Sequence, residues 1–391
     1  MPGTPGEPYG YELGCVAKSI ASGKGFSSPL PFFETGPTAW LSPVFPYIVA
    51  GIFKIWGIYT VKSRVAIQVF DCVCSAVTVF PIYAVSKRSF GAGTAAGAAW
   101  LWVVLPDATH VPIADLWEAS LAALFFGLLF WATIAIRGEG STAKWAGYGG
   151  LWALGALINT SLVSVLPFFL AWLAWQERKE RRPWLRPVAV ASLVFVVGMA
   201  PWTMRNDEAL GKFVPVRSNF GLEFWLGNNP QALEVNAFQL HPFVNRAEAE
   251  DYRSMGEVDY MRAKQHAALA FIHSHPGAAS YFILRRVGDN WFAVSDRVGS
   301  VLSSGSVYLK GYFIFNAAMT LLAWYGAIAA WRARNSYRAL YAITLLVYPL
   351  VFYLTHVLVR YRFPMEPILV VLAVSPIFRE MRGGGGLGVP A

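Results

Sequence analysis

Two kinds of side chain in this 391-residue chain could do chemistry together: one early carboxylate, and arginines at the ends of apolar stretches. Glu12 stands in Tyr11-Glu12-Leu13-Gly14-Cys15-Val16-Ala17, a small-residue segment with Tyr9 just before it. A carboxylate partly withdrawn from water against a bilayer can take a proton from an attacking hydroxyl. The plainer reading is a solvated carboxylate in a loose tail, which the Pro and Gly residues ahead of it permit. Arg360 and Arg362 lie in His356-Val357-Leu358-Val359-Arg360-Tyr361-Arg362-Phe363-Pro364-Met365-Glu366-Pro367, and Arg205 lies in Ala200-Pro201-Trp202-Thr203-Met204-Arg205-Asn206. A guanidinium at such a helix end either anchors it among headgroups or grips a phosphate through paired hydrogen bonds. The sequence leaves both readings open, and Tyr361 shares the turn of the two C-terminal arginines. Asp115 opens an expected span, and Glu118 falls about one turn into it. Ionisable groups there cost about 2.5–3.5 kcal/mol on insertion scales, which favours a site-facing role for Glu118 over a place in the headgroup zone.

Other chemistries lack their residues. His273-Ser274-His275 puts two imidazoles two positions apart, where they diverge on a helix, and no third ligand follows; they read as helix-end polar residues, and no metal site is expected. Cys15, Cys72 and Cys74 make neither a disulfide framework nor a thiolate site. There is no P-loop, dinucleotide fingerprint or serine-hydrolase elbow.

These side chains must be held by a membrane bundle. The chain is 55% hydrophobic and 14% charged, with a mean hydropathy of +0.43, whereas soluble domains carry roughly 25% charged residues. The formal charge of +9 comes mostly from short basic clusters between apolar runs, which sets topology rather than binding nucleic acid. Spans are expected near 64–86, 91–106, 115–136, 143–158, 161–176, 187–203, 308–331, 338–357 and 363–379, with Asn159-Thr160-Ser161 as a hairpin turn. Lys87 and Arg88, Arg137 and Lys144, Arg178 to Arg186, Arg332 to Arg338, and Arg379 with Arg382 all fall on one side, cytoplasmic by the positive-inside rule. The opposite side receives the N-terminal segment, the 107–114 turn, the loop 204–307 and the Arg360 turn. Residues 43–57, interrupted by Pro43, Pro46 and Lys54, suit an interfacial helix. The loop carries turn signals at Gly227-Asn228-Asn229-Pro230, a helical stretch from about Glu248 to His273, and an aromatic end, Trp291-Phe292, that turns back toward the membrane.

The expected organisation is an outer-face catalytic loop with the interfacial helix (1–60), six spans (61–205), an extracytoplasmic soluble loop (206–307), three spans (308–380) and a Gly-rich cytoplasmic tail (381–391). The fold class is an all-α polytopic membrane protein. The first residues, Pro- and Gly-rich rather than basic then apolar, do not read as a cleavable signal peptide.

Several of these residues together resemble the GT-C class of integral-membrane glycosyltransferases, in the family 39-like branch with protein O-mannosyltransferases, aminoarabinose transferases and Rgt-type enzymes. The resemblance rests on Glu12 followed by Ala17, Ile20, Gly23, Gly25 and Phe26; on Ser42-Pro43-Val44-Phe45-Pro46-Tyr47 ending in Phe53 and Gly57; on Pro201 to Asn206; on Trp225-Leu226-Gly227-Asn228-Asn229-Pro230; and on Arg360 to Pro367. It implies a GT-C fold that moves a sugar from a polyprenyl-phosphate donor to an acceptor hydroxyl on a glycan, lipid or protein, with inversion, at the outer face of the inner (plasma) membrane. Glu12 takes the position of the family's base, and Arg205, Arg360 and Arg362 offer charge to the lipid phosphate. No cofactor is required, and a divalent cation is compatible with the chemistry. Relatives often carry Asp where this chain has Glu12, and they carry a transmembrane helix ahead of the acid that the eleven preceding residues do not supply. A transporter or flippase of lipid-linked intermediates is the rival reading, since it also wants apolar grooves and outward arginines.

Overall fold

The computed structural model describes residues 8–114, 116–232, 237–292 and 305–383. Asp115, one of the expected site-facing residues, lies outside the described residues. Those residues form helices and no strand, with one isolated bridge between Ser27 and Pro37. Among the described residues, five helices are long and apolar enough to cross a membrane: Val61–Phe90, Ala119–Ile136, Leu185–Leu210, Val307–Arg332 and Arg360–Phe378. The expected spans at 91–106 and 338–357 coincide with the shorter apolar helices Ala92–Val104 and Arg338–Leu354. Those at 143–158 and 161–176 coincide with Thr142–Ile158 and with a 3-10 turn, Thr160–Val165, leading into Leu166–Lys179.

Burial separates an axis from a rim. The apolar windows of Ala119–Ile136 and Arg360–Phe378 are 67% and 83% buried, against 17% for Leu185–Leu210. Rim helices dock where glycine lets backbones approach. A Cβ on Gly149 would lie 2.2 Å from the Ala191 carbonyl, and one on Gly326 would lie 1.9 Å from that of Leu372.

Several of the basic connections expected on one side do meet. Arg88 donates to the Tyr337 hydroxyl and the Asn335 amide to the Ser89 carbonyl, while Arg137 pairs with Glu180. Tyr337 packs on Trp172, which joins the two groups.

Away from them lie α1 (Tyr11–Ala21), α2 (Val44–Trp56) and the insertion. The residues expected as an interfacial helix form α2, ended by Gly57 at φ 90°. Thr60 and Ser63 then form a reciprocal capping box that starts the next helix. In the insertion, the single helical stretch expected from Glu248 to His273 is two helices, Arg246–Met255 and Glu257–Ser274. Gly256, at φ 79°, breaks them, a backbone state that side chains disfavour. A third helix, Pro276–Phe292, follows. Its Trp291 packs on Trp324 and donates to the Tyr353 hydroxyl, so the insertion's aromatic end docks on the Val307–Arg332 helix.

Candidate active site

Glu12 lies in the first turn of a helix and is 5% exposed, so it is not a tail residue. Two glycines make this placement. Gly10 turns the chain at φ 79°, and at Gly14 a Cβ would sit 1.9 Å from the Tyr9 carbonyl. The apolar side of α1, with Leu13, Val16 and Ala17, packs in the same core as Phe45, Val49 and Phe53 of α2. Tyr11 stacks on Trp117 and meets Phe243 edge-on.

The nearest polar partner of the carboxylate is His241, whose Nδ1 stands 3.3 Å from Glu12 Oε1. Burial pushes the Glu12 carboxyl up to about 7; a hydrogen bond from its own backbone, Arg360 and Arg217 oppose the shift, and Glu223 adds to it. Burial also pushes the His241 imidazole down to about 4, so it is neutral near pH 7. Its Nδ1 accepts the Phe243 backbone N–H at 3.1 Å, which engages the single lone pair of that nitrogen.

Beyond His241, Glu223 accepts from the Asn219 amide at 2.6 Å and contacts His356 Nδ1 at 3.1 Å. Burial lowers the pKa of His356 as well. Arg360 completes the group, its guanidinium 4.4 Å from the centre of the Trp117 ring, with Tyr361 beside it. Tyr361 lies within electrostatic reach of Glu12, Glu223, Arg360 and Arg217.

The expected site residues thus divide. Glu12, Arg360 and Tyr361 come together. Arg362 points elsewhere, 1% exposed, and pairs with Glu366 at 2.6 Å. Arg205 donates to the carbonyls of Thr38 and Phe26 at 2.6 and 2.7 Å and lies over the Trp202 and Phe26 rings. It clamps the segment between α1 and α2 from the end of a membrane helix. The other side of that segment is held by Glu257, which accepts from the Ala39 backbone, Ser218 and Tyr252 at 2.6–2.7 Å and also from the Thr38 hydroxyl. Glu118 is not one turn into its helix: it precedes Ala119, half-buried, and accepts from the Asn159 amide at 3.3 Å.

Sequence reasoning missed His241, Glu223, Arg217 and His356. None of them has a spacing that links it to Glu12. The Trp225-to-Pro230 motif also has a local structural purpose. Arg286 grips the Gly227 and Thr355 carbonyls and the Asn228 side chain, and the Asn228 and Asn229 amides donate to nearby carbonyls. Among the described residues no group of three or more His, Cys, Asp or Glu is gathered as a metal site.

An all-helical bundle carrying a buried acid beside arginine, under an extramembrane insertion, has the fold of the GT-C class of integral-membrane glycosyltransferases. Residues 39–203, less than half of the chain, match the family model for dolichyl-phosphate-mannose-protein mannosyltransferase. The chain is similar in fold to the oligosaccharyltransferase of Archaeoglobus fulgidus, both in its complex with zinc and sulfate (TM-score 0.56, 13% identity, 95% of this chain and 45% of that one) and in its apo form (0.56, 14%, 97% and 48%). It therefore spans about half the length of those structures. ArnT from Cupriavidus metallidurans bound to undecaprenyl phosphate aligns at a TM-score of 0.37, with 12% identity over 97% of this chain and 74% of that one, too low to carry an argument. No curated protein matches in sequence.

Proposed function

We propose that the chain is an inverting glycosyltransferase that moves a sugar from a polyprenyl-phosphate donor to an acceptor hydroxyl, with Glu12 as general base. The observation that carries this reading is the buried Glu12 carboxyl, raised to about 7, within electrostatic reach of Arg360. The acceptor oxygen forms its bond to the anomeric carbon on the face opposite the phosphate. As the carbon–oxygen bond to phosphate breaks, the hydroxyl proton passes to Glu12. Charge that develops on the departing lipid phosphate faces Arg360, a stabilisation that counts for more in a site shielded from water. A mannosyl donor on a lipid phosphate is the first to test, because the matched family model carries that donor in its description.

Arg205 is read here as a positioning group for the segment between α1 and α2, since two carbonyls already occupy its fork. The site lies at the end of the bundle opposite the basic connections, and by the charge of those connections we read it as facing away from the cytoplasm.

The test is transfer in vesicles containing the purified protein and polyprenyl-phosphate mannose. Label appearing on an acceptor, and lost in Glu12→Gln, supports the reading. Movement of the lipid between leaflets with no transfer in any donor and acceptor combination supports the transporter instead.

A further inference from the structure

We infer that Arg362 is a positioning residue that aims Arg360 at the Glu12 site, rather than a second ligand for the donor phosphate. The two arginines sit two apart on the one-turn helix Val359–Arg362. Side chains at that spacing leave a helix in different directions. Arg360 leaves toward Trp117 and the Glu12 site. Arg362 leaves into the bundle, where three elements hold it.

Its Nε pairs with Glu366 at 2.6 Å, and its Nη1 donates to the Trp291 carbonyl and to the Thr320 hydroxyl at 3.0 Å. Glu366 begins the buried C-terminal helix, Trp291 lies at the end of the insertion helix Pro276–Phe292, and Thr320 lies midway along Val307–Arg332. Asp107, which accepts from the Tyr312 hydroxyl at 2.5 Å, lies within electrostatic reach of the same guanidinium. A planar fork with donors fixed in direction can serve several elements at once in a way that an ammonium cannot. Arg362 is 1% exposed, so a phosphate could reach it only by entering the bundle beside the Glu366 carboxylate. The insertion, the rim helix and the axis helix thus converge on one side chain, and the turn that carries Arg360 is fixed by that junction.

The consequence for donor binding rests on the proposed role of Arg360, so the experiment reads its position separately. Cysteines replace Trp117 and Arg360 in a Cys72→Ser background, and a short bis-methanethiosulfonate linker is added to the purified full chain in detergent. The pair is expected to link readily, and Glu366→Gln should slow linking at least about tenfold in the folded, monodisperse fraction. An unchanged rate in that fraction overturns the inference, because a merely structural network lowers yield without moving residue 360. If Glu366→Gln yields no folded protein, Arg362→Lys, which keeps the charge and loses the fork, takes its place under the same two outcomes. In the otherwise native chain, Glu366→Gln should raise the donor KM about tenfold while kcat at saturating donor holds. Slowed linking with an unmoved KM upholds the positioning and overturns instead the phosphate role of Arg360.

Discussion

Glu12 Oε1 and His241 Nδ1 stand 3.3 Å apart, although one opens the first helix and the other lies in the insertion after the Leu185–Leu210 helix. The contact joins the N-terminal segment to a loop that the sequence gives no reason to bring there. Burial, rather than this contact, favours the protonated state of the acid.

The rate should therefore rise with pH. Glu12 acts as a base only when ionised, and its carboxyl titrates at about 7, so kcat/KM should climb through neutral pH and level off above about 8. A profile flat from pH 5.5 to 8.5, with chemistry shown to be rate-limiting, would rule out a titrating Glu12 base.

Stability should run the other way. The folded pKa of about 7 lies above the ordinary 4.5, so the folded state binds more protons between those values. The contribution from Glu12 is then fully present below about 4.5 and is lost as pH rises through about 7. Glu12→Gln cannot ionise and should be the more stable protein at pH 8, by at most about 3 kcal/mol, with the gap closing by pH 5. Thermal unfolding in detergent at the two pH values checks this; a variant less stable than the wild type at pH 8 would contradict the burial assigned to the acid.

Gly14→Ala should damage the site without touching a reacting group. The added methyl would fall 1.9 Å from the Tyr9 carbonyl, so the first turn of α1 must shift or unwind, costing about 1–3 kcal/mol or more. Expected together are a lower melting temperature and a kcat loss, against Gly51→Ala, where no atom lies within 4 Å, as control.

Arg205→Lys should separate clamp from phosphate ligand. Lysine keeps the charge but cannot serve both the Thr38 and Phe26 carbonyls in the same plane. Losing one charged hydrogen bond should cost about 1.5–3 kcal/mol, and kcat should fall with little change in donor KM. A rise in donor KM with full stability would return Arg205 to the phosphate.

Some of this was legible in the residues. Proline and lysine interrupting a 15-residue apolar run marked α2, and basic clusters between apolar runs predicted connections that the fold gathers, as at Arg88 with Tyr337 and Arg137 with Glu180. The burial of Glu12 was not legible, because the groups around it come from distant segments: His241, Glu223 and Arg360. The arginines were alike in sequence and differ in space for a reason of direction. Arg360 and Arg362 leave one short turn differently, and Arg205 faces carbonyls that a linear reading cannot place. The Gly256 break escaped notice because the helical pattern on either side of it continues.

The central claim, that Glu12 takes the proton in sugar transfer, is tested most directly by single-turnover transfer from polyprenyl-phosphate mannose in reconstituted vesicles, comparing wild type, Glu12→Gln and Glu12→Asp. The account predicts that Glu12→Gln loses about 10²–10⁴-fold in rate with donor affinity nearly intact. Glu12→Asp should retain part of the rate, with its apparent pKa moved. Transfer by Glu12→Gln at the wild-type rate would contradict it.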